Sequence, residues 1–397
     1  MIAFNNNNKP ILLLRPEFLQ KNIVQTPGNA PFNHVPEMLN KPVLTNDKLS
    51  LTPLMKPGLI KNTSDKSHKG KLLEIQVYST YGNDQKVTIK GRVFEKEKRT
   101  LITQADSIFK NILRTLRLLS VDEKEDLYVD INFNGKIVKA KTNEEGLFNV
   151  KVNDFGLVKP GYNHVQVSLT PGQKKYTADI ATGTVTIQPK TDKTYGIVTD
   201  IDDTIQKTEV TSLKHLIKNI FFKNYTTQER IPGTPELYQA LDKRNDGKID
   251  GDVYYVTGSP INLFPRIDNF IKFNNFPEGS IDLKKIGIGH NADGLKDSTK
   301  YKLGRIRTLF DTYPDKKFIL FGDSGEKDPE IYKQIAKEYP GRVADIYINN
   351  VTNADKNSSR FEGVILTSNT FEAAVDLFQK GLITNEDLEI IRKAVKK

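Results

Sequence analysis

At 397 residues the chain exceeds what one hydrophobic core usually organises, so two or more domains are expected. With 37% hydrophobic and 27% charged residues it has the composition of a globular protein, no apolar run approaches the roughly 20 residues that span a bilayer, and zero cysteines exclude disulfides, thiolate metal sites and a cysteine nucleophile. The formal charge of +10 suits an acidic partner, but no RNP, zinc-finger or helix-turn-helix signature accompanies it, which argues against nucleic acid.

Residues 1–70 hold eight of the 19 prolines, the asparagine run 5–8, and nine Lys/Arg against four acids. Their apolar residues keep no sustained period, which predicts a disordered or loosely attached extension. The apolar stretch 11–14 is closed by Arg15 and Pro16 and is too short for a signal peptide, so a cytoplasmic protein is expected.

From 71 to 190 the pattern alternates, as in Val129, Ile131, Phe133 and Val165, Val167, Leu169, so that every second side chain can face one core. Asn134-Gly135 supplies the positive φ angles of a tight hairpin, and 143–146 has the composition of a second turn. A β-sandwich-like domain is expected, interrupted by one amphipathic helix with Ile108, Phe109, Ile112, Leu113, Leu116 and Leu119 on one stripe.

Residues 191–397 change texture again. Short continuous apolar strands at 197–199, 253–256, 318–321 and 344–348 alternate with helical segments, the mark of a parallel α/β sheet, and two amphipathic helices near 370–380 and 386–396 close the chain. Each of the first three strands runs into a polar motif, where open α/β sheets place their chemistry.

The first motif is Asp200-Ile201-Asp202-Asp203-Thr204. Three carboxylates in four positions repel one another and need a cation or shared protons, although an acidic turn or a Ca2+ loop has the same residues. The strand at 253–256 ends in Thr257-Gly258-Ser259-Pro260; Tyr301-Lys302-Leu303-Gly304 opens a helix; and Gly322-Asp323-Ser324-Gly325-Glu326-Lys327-Asp328-Pro329-Glu330 follows the third strand. Asp323 can complete a hard-cation site with Asp200, since adjacent strands lie only about 5 Å apart.

This order of acidic loop, strand-end hydroxyl, lysine and acidic loop resembles the four motifs of the haloacid dehalogenase (HAD) superfamily. DIDDT, YVTGSP and above all FILFGDSGEKDPEIY resemble the phosphatidate phosphatase catalytic-domain family first known from fungal actin patches, which has many bacterial members. The resemblance is strong over 196–352 and looser in the β-rich region and C-terminal helices; Thr257 stands where relatives often carry serine, which keeps the hydroxyl.

The resemblance implies a Rossmann-like α/β fold and a Mg2+-dependent phosphatidate phosphatase. Asp200 would attack phosphorus to form an aspartyl-phosphate, and Asp202 would protonate the leaving alkoxide and then activate water. Thr257 would hydrogen-bond the phosphoryl group and Lys302, rather than the nearby Lys300 or Lys296, would offset its charge. Mg2+ would be held by Asp200, Asp323 and the backbone carbonyl of Asp202. Thr204, Ser324 and Asp328 would support the site, Asp328 by holding Lys302 or a metal-bound water.

Other signals are weaker. The run 242–253 imitates a Ca2+ loop but has Arg244 and Val253 where ligands belong, and a polar turn is the better account. The five histidines lack zinc spacing. The segment 212–224, with Leu213, Leu216, Ile217, Ile220 and Phe221 on one stripe and Lys214, Lys218 and Lys223 outside it, suits either a core helix or a peripheral contact with an anionic membrane. A phosphatase for a soluble phosphate ester is the alternative function. A non-catalytic interaction protein is a third reading, and the intact motifs argue against it.

Overall fold

A computed structural model of the protein describes residues 2–4, 10–12, 70–96, 102–107, 110–111, 114–115, 124–208, 223–244, 247–285 and 298–396. The chain divides into two compact units, Met1–Ser64 and Asp65–Lys397. In the first, strands β1 (Ile2–Phe4) and β2 (Pro10–Leu12) pair antiparallel. The expected loose extension otherwise lies outside the described residues, as do the apolar stripe of the helix at 108–119 and nearly all of the segment 212–224.

The second unit opens with β3 (Lys71–Val77), β4 (Thr80–Asn83), β5 (Lys86–Glu95), β6 (Tyr128–Phe133), β7 (Lys136–Lys141), β8 (Leu147–Asn153), β9 (Gly161–Leu169), β10 (Tyr176–Ala178) and β11 (Ala181–Gln188). These join in one mixed sheet of order β10-β3-β5-β4-β11-β9-β6-β7, with β8 on β5. The alternation works as expected: Val129, Ile131, Phe133, Val165 and Val167 all fall in one buried cluster. Asn134 and Gly135 both take positive φ (49° and 81°), the twist that a two-residue hairpin between β6 and β7 requires.

The α/β part has a parallel sheet of order β14-β13-β12-β15-β16-β17, formed by β12 (Tyr195–Thr199), β13 (Val253–Pro260), β14 (Ser280–Lys284), β15 (Lys317–Asp323), β16 (Val343–Asn349) and β17 (Ile365–Thr367). Successive strand residues face opposite sides, so Ile197, Tyr255, Ile319 and Phe321 enter one core while Val198, Tyr254, Phe318 and Leu320 enter the other. On the first face lie α1 (Thr234–Lys243), α2 (Phe264–Phe273), α5 (Thr370–Gln379) and α6 (Asn385–Val395). On the second lie α3 (Thr299–Thr312) and α4 (Asp328–Glu338). The segments 280–284 and 365–367 are also strands, too short to declare themselves in the sequence, and β13 continues four residues past the expected 253–256, with a register shift before Pro260.

The β-rich part packs directly on this sheet. Tyr81 joins the second core, its ring 5.4 Å from that of Tyr254 and edge-on to it. Asn83 Nδ2 donates to Thr312 O at 3.0 Å, and the buried Tyr313 hydroxyl donates to Gly82 O at 2.7 Å. Tyr313→Phe removes that donor and leaves the carbonyl short of a partner. It is expected to cost about 1–2 kcal/mol in urea unfolding; an unchanged midpoint would show that the bond contributes nothing to joining the two parts.

Candidate active site

Backbone register decides which side chains can meet. Thr199 on β12 is opposite Phe321 on β15, and the Asp200 N–H donates to Phe321 O at 3.0 Å, so Asp200 leaves the sheet beside the end of β15, where Asp323 sits. On the other side Thr199 is opposite Tyr255, which places Thr257 one position beyond the level of Asp200. The chain then curls. Ile201 O accepts from the N–H groups of Ile205 and Gln206, and Asp203 takes a left-handed φ of 55° while its Oδ1 accepts from Thr208 N–H at 2.7 Å. This turn aims the buried Asp202 carboxylate at Gln206 Nε2 (2.8 Å) and Ser259 Oγ (3.1 Å).

Lys302, one turn into α3, is 1% exposed. Its Nζ donates to Asp328 Oδ1 at 2.7 Å and Glu326 Oε2 at 2.9 Å, and lies 2.8 Å from Asp200 Oδ1 at an ion-pair distance without hydrogen-bond alignment. Asp328 opens α4, where an acidic side chain suits the helix dipole. It packs on Gly322 so closely that a Cβ there would stand 2.5 Å from Asp328 Oδ2, so this position needs glycine. Asp323 Oδ1 accepts from the N–H groups of Gly325 (2.6 Å) and Glu326 (3.1 Å). Three buried oxygens, both of Asp200 and Asp323 Oδ2, accept no hydrogen bond.

Asp200, Asp323 and Asp328 each bring a carboxylate oxygen within 4.8 Å of the others'. Burial raises the pKa of Asp200 well above the carboxylate range; Lys302 opposes this, while Asp328 and Glu326 reinforce it. Burial likewise raises Asp323 and Asp328, each worsened by carboxylate neighbours. Burial alone would lower the Lys302 ammonium, but Asp200, Asp328 and Glu326 outweigh it and hold it charged. Asp202 is pushed up to about 6, by burial and then by Glu326, against the bonds from Gln206 and Ser259. Such a carboxyl can give and take a proton near neutral pH.

The expected residues therefore converge. Asp200, Lys302, Asp323 and Asp328 share one buried cluster, with Asp202 and Thr257 on the strand and loop beside it. Of the lysines weighed against Lys302, Lys300 is exposed and Lys296 lies outside the described residues. Thr204 is buried, and its hydroxyl has no hydrogen bond. Ser324 is buried, and its hydroxyl contacts that of Thr352 at 2.8 Å. Asp328 adopts one of its two expected roles, holding Lys302. Sequence reasoning missed Ser259, Gln206 and Glu326. Ser259 and Glu326 lay inside recognised motifs, and only the fold shows which carboxylate or ammonium each touches.

A second acidic group, Asp242, Asp250 and Asp252, lies in the run that imitates a Ca2+ loop. Asp242 belongs to the last turn of α1 and accepts from the N–H groups of Asp252 (3.1 Å) and Gly251 (3.3 Å), and Asp252 pairs with Lys316 at 2.9 Å. The run acts as a polar turn leading into β13.

Residues 195–350 match the family model for the catalytic domain of phosphatidate phosphatase APP1. Over 160 residues, 40% of this chain and 26% of the relative, the protein is 35% identical to phosphatidate phosphatase APP1 of Saccharomyces cerevisiae. Over 235 residues it is 27% identical to an uncharacterized protein of Schizosaccharomyces pombe, covering 56% of this chain and 36% of that one. The chain thus spans between a quarter and two-fifths of the length of these curated relatives. Among solved structures, a carbohydrate acetylesterase from Xanthomonas citri is similar over 80% of this chain and 71% of its own, at 8% identity and a TM-score of 0.25, too low to carry any argument.

Removing the lysine tests the electrostatic reading. Lys302→Met leaves buried carboxylates without their ammonium and is expected to destabilise the metal-free protein by about 3–5 kcal/mol in urea unfolding. A loss under about 1 kcal/mol would show that the cluster is already neutralised without Lys302.

Proposed function

We propose that the protein is a Mg2+-dependent phosphatidate phosphatase that works through an aspartyl-phosphate, a reading supported by the match of residues 195–350 to the catalytic-domain family model of phosphatidate phosphatase APP1. The observation that carries this reading is the buried cluster of Asp200, Asp323 and Asp328, in which Lys302 is the cation and two carboxylate oxygens face no donor. Unpaired buried carboxylates are costly, and a hard divalent cation with oxygen ligands is what such a set suits.

Asp200 and Asp323, with the Asp202 backbone carbonyl, would hold Mg2+, which when bound offsets the repulsion between an anionic nucleophile and a phosphate. Asp200 Oδ2, free of hydrogen bonds, is the nucleophilic oxygen. It forms the new bond to phosphorus as the bond to the lipid alkoxide breaks, and Asp202 gives the alkoxide its proton. In the second displacement Asp202 takes a proton from water, whose oxygen bonds to phosphorus as the Asp200 oxygen leaves. Thr257 donates to the transferring phosphoryl group. Lys302, already beside Asp200, neutralises it by exchanging one carboxylate partner for a phosphate oxygen. Thr204 and Ser324 support the two acidic loops, and Asp328 holds Lys302 in place.

The reading extends to the architecture and location. Residues 191–397 form a HAD-like catalytic domain, 71–190 a β-sandwich-like domain and 1–70 an extension; the parallel order of β12 to β17, with polar motifs at strand ends, supports the first assignment. The protein is cytoplasmic and reaches its substrate by peripheral contact with anionic membrane; among the described residues no helix is long and apolar enough to cross one.

The test compares phosphate release from phosphatidate in mixed micelles with that from glycerol 3-phosphate, with and without Mg2+, for the wild type and Asp200→Asn. The expected result is a Mg2+-requiring preference for phosphatidate, and a fall on the order of 10³-fold or more in the variant. Equal turnover of glycerol 3-phosphate would replace the lipid reading with the soluble-ester alternative. Near-normal activity of Asp200→Asn would end the nucleophile assignment.

A further inference from the structure

Arg360 lies beyond the segment matched by the family model, in the short helical turn Ser359–Phe361. It belongs to none of the sequence motifs. Its guanidinium nevertheless reaches the loop that follows β15: Nη1 donates to Ser324 O at 2.6 Å and Nη2 to Glu326 O at 2.5 Å. The same side chain meets Glu330 in the first turn of α4, through Nε at 2.7 Å and Nη2 at 3.3 Å. One planar fork thus ties both ends of a tight loop to the helix after it, which a single ammonium could not do.

What the loop does makes this contact consequential. The two pinned carbonyls belong to Ser324 and Glu326, and between them Gly325 N–H, together with Glu326 N–H, donates to Asp323 Oδ1. Those bonds fix the rotation of the Asp323 carboxylate. They engage Oδ1 and leave Oδ2 buried without a hydrogen bond. Glu326 and Asp328, the two carboxylates that accept from Lys302, end and follow the same stretch.

We propose that Arg360 is a positioning residue that sets the cation affinity of the site, by clamping the 324–326 backbone so that Asp323 presents one oxygen to the metal and gives the other to the loop. This rests on the metallophosphatase reading above. Arg360 itself touches none of the carboxylates of the cluster. The loop has further anchors, Ser324 N–H to Asn349 O at 2.9 Å and the Ser324–Thr352 hydroxyl contact, and the turn is seated by the buried Phe361, so loss of the guanidinium loosens the loop without unfolding the domain.

The experiment is Mg2+ binding by calorimetry, with melting temperature recorded with and without Mg2+, on the full-length wild type, Arg360→Ala and Arg360→Lys. Partners that orient metal ligands typically contribute 10–100-fold in affinity. The Mg2+ Kd is therefore expected to rise roughly tenfold or more in both variants, since lysine keeps the charge but not the fork. The metal-free melting temperature should stay close to wild type. A purely structural role would reverse this pattern, lowering the metal-free melting temperature at an unchanged Kd, and would overturn the inference. Wild-type affinity in both variants would overturn it as well while leaving the metallophosphatase reading intact. A wild type that binds no Mg2+ would remove that reading and this inference together.

Discussion

Three carboxylates, those of Asp200, Glu326 and Asp328, meet the ammonium of Lys302, a fourth, Asp323, has an oxygen within 4.8 Å of those of Asp200 and Asp328, and the three aspartates are almost wholly buried. A single lysine cannot neutralise them. Desolvation and mutual repulsion push the three aspartates upward, so in the absence of a cation the fold must hold protons or unpaired charge where neither is favourable. Much of the α/β part can be understood as what makes that arrangement tolerable: parallel strands that end side by side, a glycine at 322 that lets Asp328 approach, and helices whose first turns carry Lys302 and Asp328.

The contrast with the second acidic group is instructive. Asp242 is raised to about 7 and Asp252 to about 6, both chiefly by burial, yet their oxygens have partners within the fold: the Gly251 and Asp252 amides for one, Lys316 for the other. Lys316 also pairs with Asp192, just ahead of β12. Burial and negative charge are common to both clusters. Two oxygens without a donor at the ends of the adjacent strands β12 and β15, Asp200 Oδ2 and Asp323 Oδ2, distinguish the first, and they carry the functional reading.

The sequence made the strand-end motifs legible because chemistry in an open α/β sheet collects where parallel strands stop, so Asp200 and Asp323 could be paired from spacing alone. The alternations of β6 and β9 were legible for a similar reason, since a half-buried strand shows its period in one dimension. Lys302 could be chosen over Lys300 only by resemblance, because the helical phase that buries one and exposes the other depends on packing against β13. Ser259, Gln206 and Arg360 stayed hidden for the same cause. Ser259 and Arg360 act through contacts with segments distant in the chain, and Gln206 through the curl that returns it to Asp202 four residues earlier; a polar residue carries no local mark of the carboxylate or carbonyl it will reach. The strands at 280–284 and 365–367 form because a neighbouring strand is there to pair with.

The most direct test of the account is a crystal structure of the protein grown with Mg2+ and a fluoroberyllate anion, which mimics a phosphoryl group on a carboxylate. The account predicts beryllium bonded to Asp200, with the cation held by Asp200 and Asp323 and Lys302 against a fluorine. An anion bonded elsewhere, or a cation seated at Asp242, Asp250 and Asp252 while the Lys302 cluster stays empty, would contradict it.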